Sequence, residues 1–280
     1  MVQKRIILAN DLSGIGKVAL TPAIPIMACC QIETILLPTI LLSSHTGGFQ
    51  KIATQELLDF TKQSLEQWKA LQLKTDALFI GYCRQREQLK VLLDYHTTQN
   101  PDALLIVDPI MGDHGKLYSG FTEEYVQQMR KVCSKADVIL PNLTEAALLT
   151  QTEYLEGIDP VEAYQELARK LANLGAKKVI LTGIQIKVGS IGLLSYDAVT
   201  EQFATAFTPH YPHHFFGTGD IVSAILSACI LQGFSLEKAL TLATTFLDAT
   251  LQETIAQEKD LQYGVAFEPQ LHLLTQLFHS

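Results

Sequence analysis

Phe215-Phe216-Gly217-Thr218-Gly219-Asp220, followed at once by Ile221-Val222-Ser223-Ala224-Ile225-Leu226, is the stretch on which the reading of this chain turns. Two glycines in three residues let the backbone turn tightly and bring its N–H groups close to a ligand. The apolar run reads as a helix starting there, which aims more unpaired N–H groups and the positive end of its dipole at the same point. Such a corner holds an anion. Asp220 stands at its mouth, where a carboxylate can take a proton from a hydroxyl that attacks the bound anion. The combination implies phosphoryl transfer to an alcohol. The plainer reading is a glycine turn with Asp220 capping a helix, and the rest of the chain decides between them.

Outward from that stretch, short β-rich runs alternate with longer stretches of helical spacing. Strands are expected at 5–9, 34–42, 77–81, 104–108, 138–140 and 178–182. Helices are expected at 17–28, 54–71, 87–96, 122–133, 161–174, 221–232 and 236–254, with a last one near 269–277. In the second helix Leu57, Leu58, Leu65 and Trp68 recur at helical spacing. The alternation predicts a parallel sheet with helices on both faces. Residues 188–196 and 202–208 alternate in polarity with turn residues between them, as a hairpin does. No linker rich in Gly, Ser or Pro divides the chain, and no period repeats. The expected fold is α/β, a doubly wound, mostly parallel central sheet with an antiparallel edge, residues 1–280 forming one domain.

Bulk properties narrow the classes. The 280 residues are 48% hydrophobic and 18% charged, ample for a large core. A net charge of −8 argues against a general nucleic-acid binder. The apolar stretches are broken by Pro, Thr or Gly short of a membrane span. Met1-Val2-Gln3-Lys4-Arg5 runs into a strand without a small-residue cleavage site, so neither signal peptide nor anchor is expected. Cys29, Cys30, Cys83, Cys133 and Cys229 lie in apolar contexts without C-x-x-C spacing, which fits free thiols in a reducing cytoplasm. Cys83 reads better as a small buried hydrophobe than as a reactive thiol.

In doubly wound sheets ligands sit outside the carboxyl ends of the strands. There this sequence places Asn10-Asp11-Leu12-Ser13-Gly14, Ser43-Ser44-His45-Thr46-Gly47-Gly48, Gly81-Tyr82, Asp108-Pro109-Ile110-Met111-Gly112-Asp113, Pro141-Asn142-Leu143-Thr144-Glu145 and Thr182-Gly183. Asp108, Asp113 and Glu145 follow neighbouring strands and can converge on a Mg²⁺ that bridges phosphates, held by few carboxylates and several waters. Their plainer readings are a turn at Asp108-Pro109 and a capping box between Asn142 and Glu145. His45, among hydroxyl residues and glycines, is read as a ligand contact. His210, His213 and His214 have metal-like spacing but no Cys or carboxylate beside them, so a surface loop is preferred. His96, His114, His272 and His279 receive no role. Gly14-Ile15-Gly16-Lys17-Val18-Ala19 matches a dinucleotide fingerprint, yet its acid, Glu33, precedes the second strand rather than ending it. A P-loop fails because Asp11 replaces its first Gly and Val18 its final Ser/Thr.

Together, Ser44-His45-Thr46-Gly47, Gly81-Tyr82, the segment from Asp108 to Asp113, the segment from Pro141 to Glu145 and Gly217-Thr218-Gly219-Asp220 resemble the pyridoxal kinases, the vitamin B6 branch of the ribokinase-like superfamily. The likeness runs in order across nearly the whole chain. The C-terminal tetrad marks the superfamily, and the H-T-G and D-P-[VI]-[LM]-G-D elements mark the B6 branch. The resemblance implies ATP-dependent phosphorylation of the 5′-hydroxymethyl group of pyridoxal, pyridoxine or pyridoxamine. It implies Asp220 as the base, an anion hole from the amides of Gly217, Thr218 and Gly219, and Mg²⁺ organised by Asp108 and Glu145 with Asp113 nearby. Asp108, Asn142, Thr182, Thr218 and Gly219 would face ATP, with Tyr118 in the loop that closes over it. His45, Thr46 and Tyr82 would touch the pyridine ring. The resemblance leaves a monovalent cation, K⁺ or Na⁺, open. It implies a cytoplasmic homodimer without nucleic-acid or membrane partners.

One departure stands out. Many pyridoxal kinases carry a Ser where an ungapped alignment puts Asp11, and the segment from Asn10 to Gly14 looks more like the hydroxymethylpyrimidine kinases of thiamine synthesis. Either Asp11 or Ser13 is left to bind the ring. A hydroxymethylpyrimidine kinase is therefore the alternative. A weakly catalytic B6-binding protein is a third reading, against which the complete tetrad argues.

Overall fold

In β1 (Arg5–Ser13) successive apolar residues enter different cores: Ile6 and Leu8 face one, Ile7 and Ala9 the other, all within 1% of full burial. A strand buried on both faces needs a continuous apolar run, and helices must cover it on both sides. The computed structural model describes residues 3–278 and shows that cover; Met1, Val2, His279 and Ser280 lie outside the described residues.

The chain continues through α1 (Leu20–Cys29), β2 (Glu33–Leu42), β3 (Thr54–Glu56), α2 (Leu58–Ala70), β4 (Ala77–Ile80), α3 (Arg86–Gln99) and β5 (Leu104–Val107). A small hairpin, β6 (Gly112–Asp113) and β7 (Lys116–Leu117), precedes α4 (Glu123–Cys133), β8 (Val138–Ile139), α5 (Leu143–Thr150) and α6 (Val161–Ala172). Then come β9 (Lys178–Ile184), β10 (Ser190–Asp197), β11 (Gln202–Pro209), α7 (Thr218–Leu231), α8 (Leu236–Ala256) and α9 (Leu271–Phe278). Among the described residues one nine-stranded sheet runs β11-β10-β9-β8-β5-β4-β1-β2-β3. The strands from β9 to β2 are parallel; β10 runs antiparallel between β9 and β11, and β3 pairs antiparallel with β2. Residues of α2 to α6 pack on the face of Ile7, while α1, α7, α8 and α9 pack on the face of Ile6.

After β2 the chain crosses back to place β4 on the other side of β1. The crevice of such a sheet opens at that reversal, outside the carboxyl ends of β1 and β4. Asp11 and Tyr82 sit there.

Three expectations are corrected. Residues 54–71 are not one helix: Thr54–Glu56 pairs antiparallel with Ile40–Leu42, because an open sheet edge offers hydrogen bonds that override local periodicity. Strand β1 runs past residue 9 through Ser13; its register with β2 shifts between Asn10 and Leu12, and Asn10, Asp11 and Ser13 are buried there. The β6–β7 hairpin was not expected, its two-residue strands being too short for any periodicity. The antiparallel end formed by β10 and β11 stands as expected. Glu33 begins β2 and pairs with Arg5 at 2.9 Å, at the edge opposite the crevice, which removes the dinucleotide reading. The five cysteines are free, and burial pushes the Cys83 thiol upward, so it behaves as a core residue. No helix among the described residues is long and apolar enough to cross a membrane.

Candidate active site

Gly217 caps α7 with φ 86°, a left-handed conformation that favours glycine, and a Cβ there would fall on the Lys17 carbonyl oxygen. A Cβ on Gly219 would meet nothing within 4 Å, so the approach to the helix end is open. The first amide bond into the helix runs from the Ile221 N–H to the Gly217 carbonyl at 3.1 Å. The amides of Thr218, Gly219 and Asp220 therefore have no partner within the helix. Burial pushes the Asp220 carboxyl up to about 6, opposed by a hydrogen bond from the Ala19 N–H. Ala19 has φ 51° and ψ −121°, a conformation that costs an alanine on the order of 1–3 kcal/mol. Sequence reasoning missed this residue, since nothing in an alanine announces a backbone donor.

A set of carboxylates surrounds Asp220. Asp11 is buried, and that burial and the charge of Asp220 push it up to about 7, against the Ser13 hydroxyl donating to Oδ2 at 3.0 Å. Asp108 also rises to about 7 through burial and the Asp220 charge, while the Ser223 hydroxyl donates to its Oδ2 at 2.6 Å. Glu145 is raised well above its usual value, first by burial and then by Asp108. Every charge acting on Asp11, Asp108 and Glu145 is another carboxylate. A hard divalent cation among phosphate oxygens is the chemistry that donor set fits.

The donors do not form a cage by themselves. Among the described residues no three His, Cys, Asp or Glu groups converge to ligate an ion, so Asp108, Asp113 and Glu145 are not a joint first coordination shell. Glu145 shows why: Oε1 accepts from the Met111 N–H at 3.2 Å and Oε2 from the Asn142 N–H at 2.9 Å. Asn142 closes the capping box by accepting from the Glu145 N–H at 2.9 Å, and its Nδ2 donates to the Gly112 carbonyl at 2.8 Å. Asp113 Oδ1 accepts from the His114 N–H at 2.8 Å. An ion held by Asp108 and Glu145 would thus leave most of its positions to water and phosphate.

The remaining predicted residues separate. Thr182 lies inside β9, bridged to Asn142, with its N–H donating to the Pro141 carbonyl at 3.0 Å. Tyr118 is partly exposed; burial and then the charges of Glu145, Asp113, Asp108 and Asp220 raise its pKa. His45 is buried with both ring nitrogens engaged: Nε2 donates to the Gln262 carbonyl at 2.7 Å and Nδ1 accepts from the Gly47 N–H at 3.1 Å. It packs on Phe216 at 4.6 Å and ties the loop after β2 to the chain before α9. A free donor for a ligand is therefore not what His45 offers. Thr46 is exposed beside it. Tyr82 is half-buried, and the charge of Asp11 reaches its hydroxyl across the crevice.

With this geometry the kinship is specific. The model of the family described as phosphomethylpyrimidine kinase matches residues 28–264. The pyridoxal kinase of Arabidopsis thaliana is 32% identical over 244 residues, 80% of this chain and 74% of that protein. The crystal structure of pyridoxal kinase from Lactobacillus plantarum superposes with a TM-score of 0.90 at 33% identity, covering 99% of this chain and 98% of its own. A Bacteroides thetaiotaomicron relative solved with pyridoxal gives 0.90 at 33% identity, over 97% and 96%. The chain belongs to the phosphomethylpyrimidine kinase family, within the ribokinase-like superfamily that includes the pyridoxal kinases.

Proposed function

We propose that this protein transfers the γ-phosphoryl group of ATP to the 5′-hydroxymethyl group of a B6 vitamer, with Asp220 as base. The observation that carries it is the placement of Asp220 between an open helix N-terminus and the crevice edged by Asp11 and Tyr82. Asp220 accepts the hydroxyl proton, the freed oxygen attacks the γ-phosphorus, and the bond to ADP breaks. The amides at the start of α7 face the charge that develops on the transferred group. Mg²⁺, when bound, neutralises phosphate charge; Asp108 and Glu145 would hold it largely through water. Asp11, its Oδ2 satisfied by Ser13, is the group offered to the ring nitrogen. The pyridoxal bound by the Bacteroides relative supports a B6 substrate. Hydroxymethylpyrimidine is the second reading, favoured by Asp11 itself.

An ADP-release assay across pyridoxal, pyridoxine, pyridoxamine and hydroxymethylpyrimidine tests the assignment. A vitamer is expected to give the highest kcat/KM, and Asp220→Asn to lower kcat by roughly 10²–10⁴ with the fold intact. Preference for hydroxymethylpyrimidine, or a near-normal kcat in the variant, overturns the corresponding half.

The protein is further read as one domain working in the cytoplasm as a homodimer. Its free thiols fit a reducing compartment. On the α1 side of the outer sheet Leu36 and Leu41 are 40% and 39% exposed on one face of β2, an apolar strip that a second copy can cover. Light scattering should give twice the chain mass, and Leu36→Glu should halve it.

A further inference from the structure

Ser223 and Ser227 stand about one turn apart on α7, both buried, and their hydroxyls fare differently. The Ser227 hydroxyl bonds nothing among the described residues. The Ser223 hydroxyl donates to Asp108 Oδ2 at 2.6 Å, across 115 positions of sequence. A serine or threonine inside a helix often turns its hydroxyl back onto the carbonyl four residues before, as Thr61, Thr150, Thr244 and Thr254 do here. Ser223 instead reaches across to the residue that follows β5.

The backbone of Asp108 is held on both sides: its N–H donates to the Ile80 carbonyl at 2.9 Å, and its carbonyl accepts from the Ile110 N–H at 2.8 Å. Its buried carboxylate has one tether. Oδ2 accepts from Ser223, while Oδ1 accepts from no described residue. A length of 2.6 Å lies in the range of charge-assisted O–H···O⁻ bonds, about 2.5–2.7 Å, so the hydroxyl favours the ionised carboxylate. The same helix carries Asp220 and the open amides at its start, ~4.5 Å back along the axis from Ser223. Resting on the kinase reading above, we propose that Ser223 is a positioning residue that holds Asp108 by Oδ2 and leaves Oδ1 for the shell of the Mg²⁺ that accompanies ATP. One helix then sets both the phosphate-binding end and the carboxylate beside it. Mg²⁺ demands near-ideal octahedral geometry, and a carboxylate free to turn about its side-chain bonds serves it less well. Hydrogen-bond partners behind a metal-holding group are typically worth ~10–100-fold in metal affinity.

Ser223→Ala, Ser223→Cys and, as the matched control, Ser227→Ala test this. Mn²⁺, which suits the same oxygen donors, is titrated onto the protein with ADP and followed by electron paramagnetic resonance, so that binding is read without turnover. Ser223→Ala is expected to raise the Mn²⁺ Kd, and the Mg²⁺ concentration for half-maximal rate, roughly tenfold, while the pyridoxine KM at saturating Mg²⁺ stays within about twofold. Ser227→Ala should leave both metal constants unchanged and Tm equal or higher, since it removes a buried hydroxyl that bonds nothing. An unchanged Mn²⁺ Kd in Ser223→Ala overturns the proposal. Equal metal effects in the two alanine variants overturn it as well, since they would reduce Ser223 to helix packing. If Ser223→Ala does not fold, Ser223→Cys, close in size and a weak donor, carries the same comparison: a severalfold rise in Kd is expected, and an unchanged Kd overturns the proposal. Failure of every vitamer and of hydroxymethylpyrimidine to release ADP would sink the kinase reading alone, because the Mn²⁺ Kd is measured without catalysis.

Discussion

Gly217 and Gly219 stand two residues apart under opposite constraints. Gly217 needs φ 86° and has the Lys17 carbonyl against it; Gly219 has open space where a side chain would go. Gly217→Ala is expected to cost at least about 2 kcal/mol, which lowers Tm by roughly 4–8 °C in a chain of this size. Gly219→Ala should leave Tm unchanged or raise it slightly, since alanine favours helix. It should raise the KM for ATP, because a methyl group would stand before the unpaired amides. Thermal melts and ATP saturation curves separate the two; equal effects on Tm would mean that the space before Gly219 is structural. At this scale the grouping of the acids was legible: Asp11 and Asp108 lie close enough to Asp220 to feel its charge, and Glu145 feels that of Asp108. What sequence could not show for His45 is its partners: a histidine among glycines looks free, yet the carbonyl of Gln262, more than two hundred residues away, accepts from its Nε2.

Helix α5 and the β6–β7 hairpin act as one unit. Glu145 binds the Met111 and Asn142 amides, Asn142 Nδ2 binds the Gly112 carbonyl, and the Thr144 hydroxyl accepts from the Gly115 N–H at 2.9 Å. Glu145 is thus at once a cap, a hairpin anchor and a charge in the carboxylate set. Glu145→Gln puts an amide NH₂ against a backbone N–H and loses one bond, about 1–3 kcal/mol if the donor stays unsatisfied. The expected result is a Tm lower by several degrees together with a severalfold rise in the Mg²⁺ concentration for half-maximal rate. A lower Tm with an unchanged Mg²⁺ requirement would reduce Glu145 to its cap. The capping pattern was readable from Asn142 and Glu145 three residues apart, but the hairpin was not. Similarly, α7 was legible from its apolar run, whereas the Ser223 hydroxyl holding Asp108 from one turn beyond Asp220 depends on β5 and α7 being neighbours.

Across the whole molecule the buried acids set opposite trends in stability and activity. Folded Asp220, Asp11 and Asp108 hold their protons up to about 6, 7 and 7, against an ordinary 3.8. Between those values the native state binds more protons than the unfolded one, so stability falls as pH rises from about 4 to 7. Asp76 and Asp197, lowered by hydrogen bonds with Lys4 and Lys178, lose their contribution only in more acid solution. The protein without nucleotide or metal is therefore expected to melt lower at pH 8 than at pH 5.5. Its kcat/KM should instead fall below about pH 6 as Asp220 takes up a proton. A Tm flat across that range would mean that these charges are already relieved. Such a conflict is common where a site is built for charge it has not yet bound.

The sequence by itself determined the fold class and the loops that matter. Apolar strands too continuous for one wet face demand helices on both sides, and such a sheet collects its polar loops at one edge. It also signalled the helix start at Gly217 through two glycines before an apolar run, although the Lys17 carbonyl that excludes a side chain there comes from the tertiary fold. Only the tertiary structure decided which polar atoms remain free. Hydrogen bonds between residues far apart in the chain consume His45 Nε2, Asn142 Nδ2 and Glu145 Oε1, while Ala19 and Arg84 gain partners that their neighbours in sequence do not predict. Those pairings depend on which strands lie side by side and on where the chain reverses at β1 and β4, and no local pattern encodes that order.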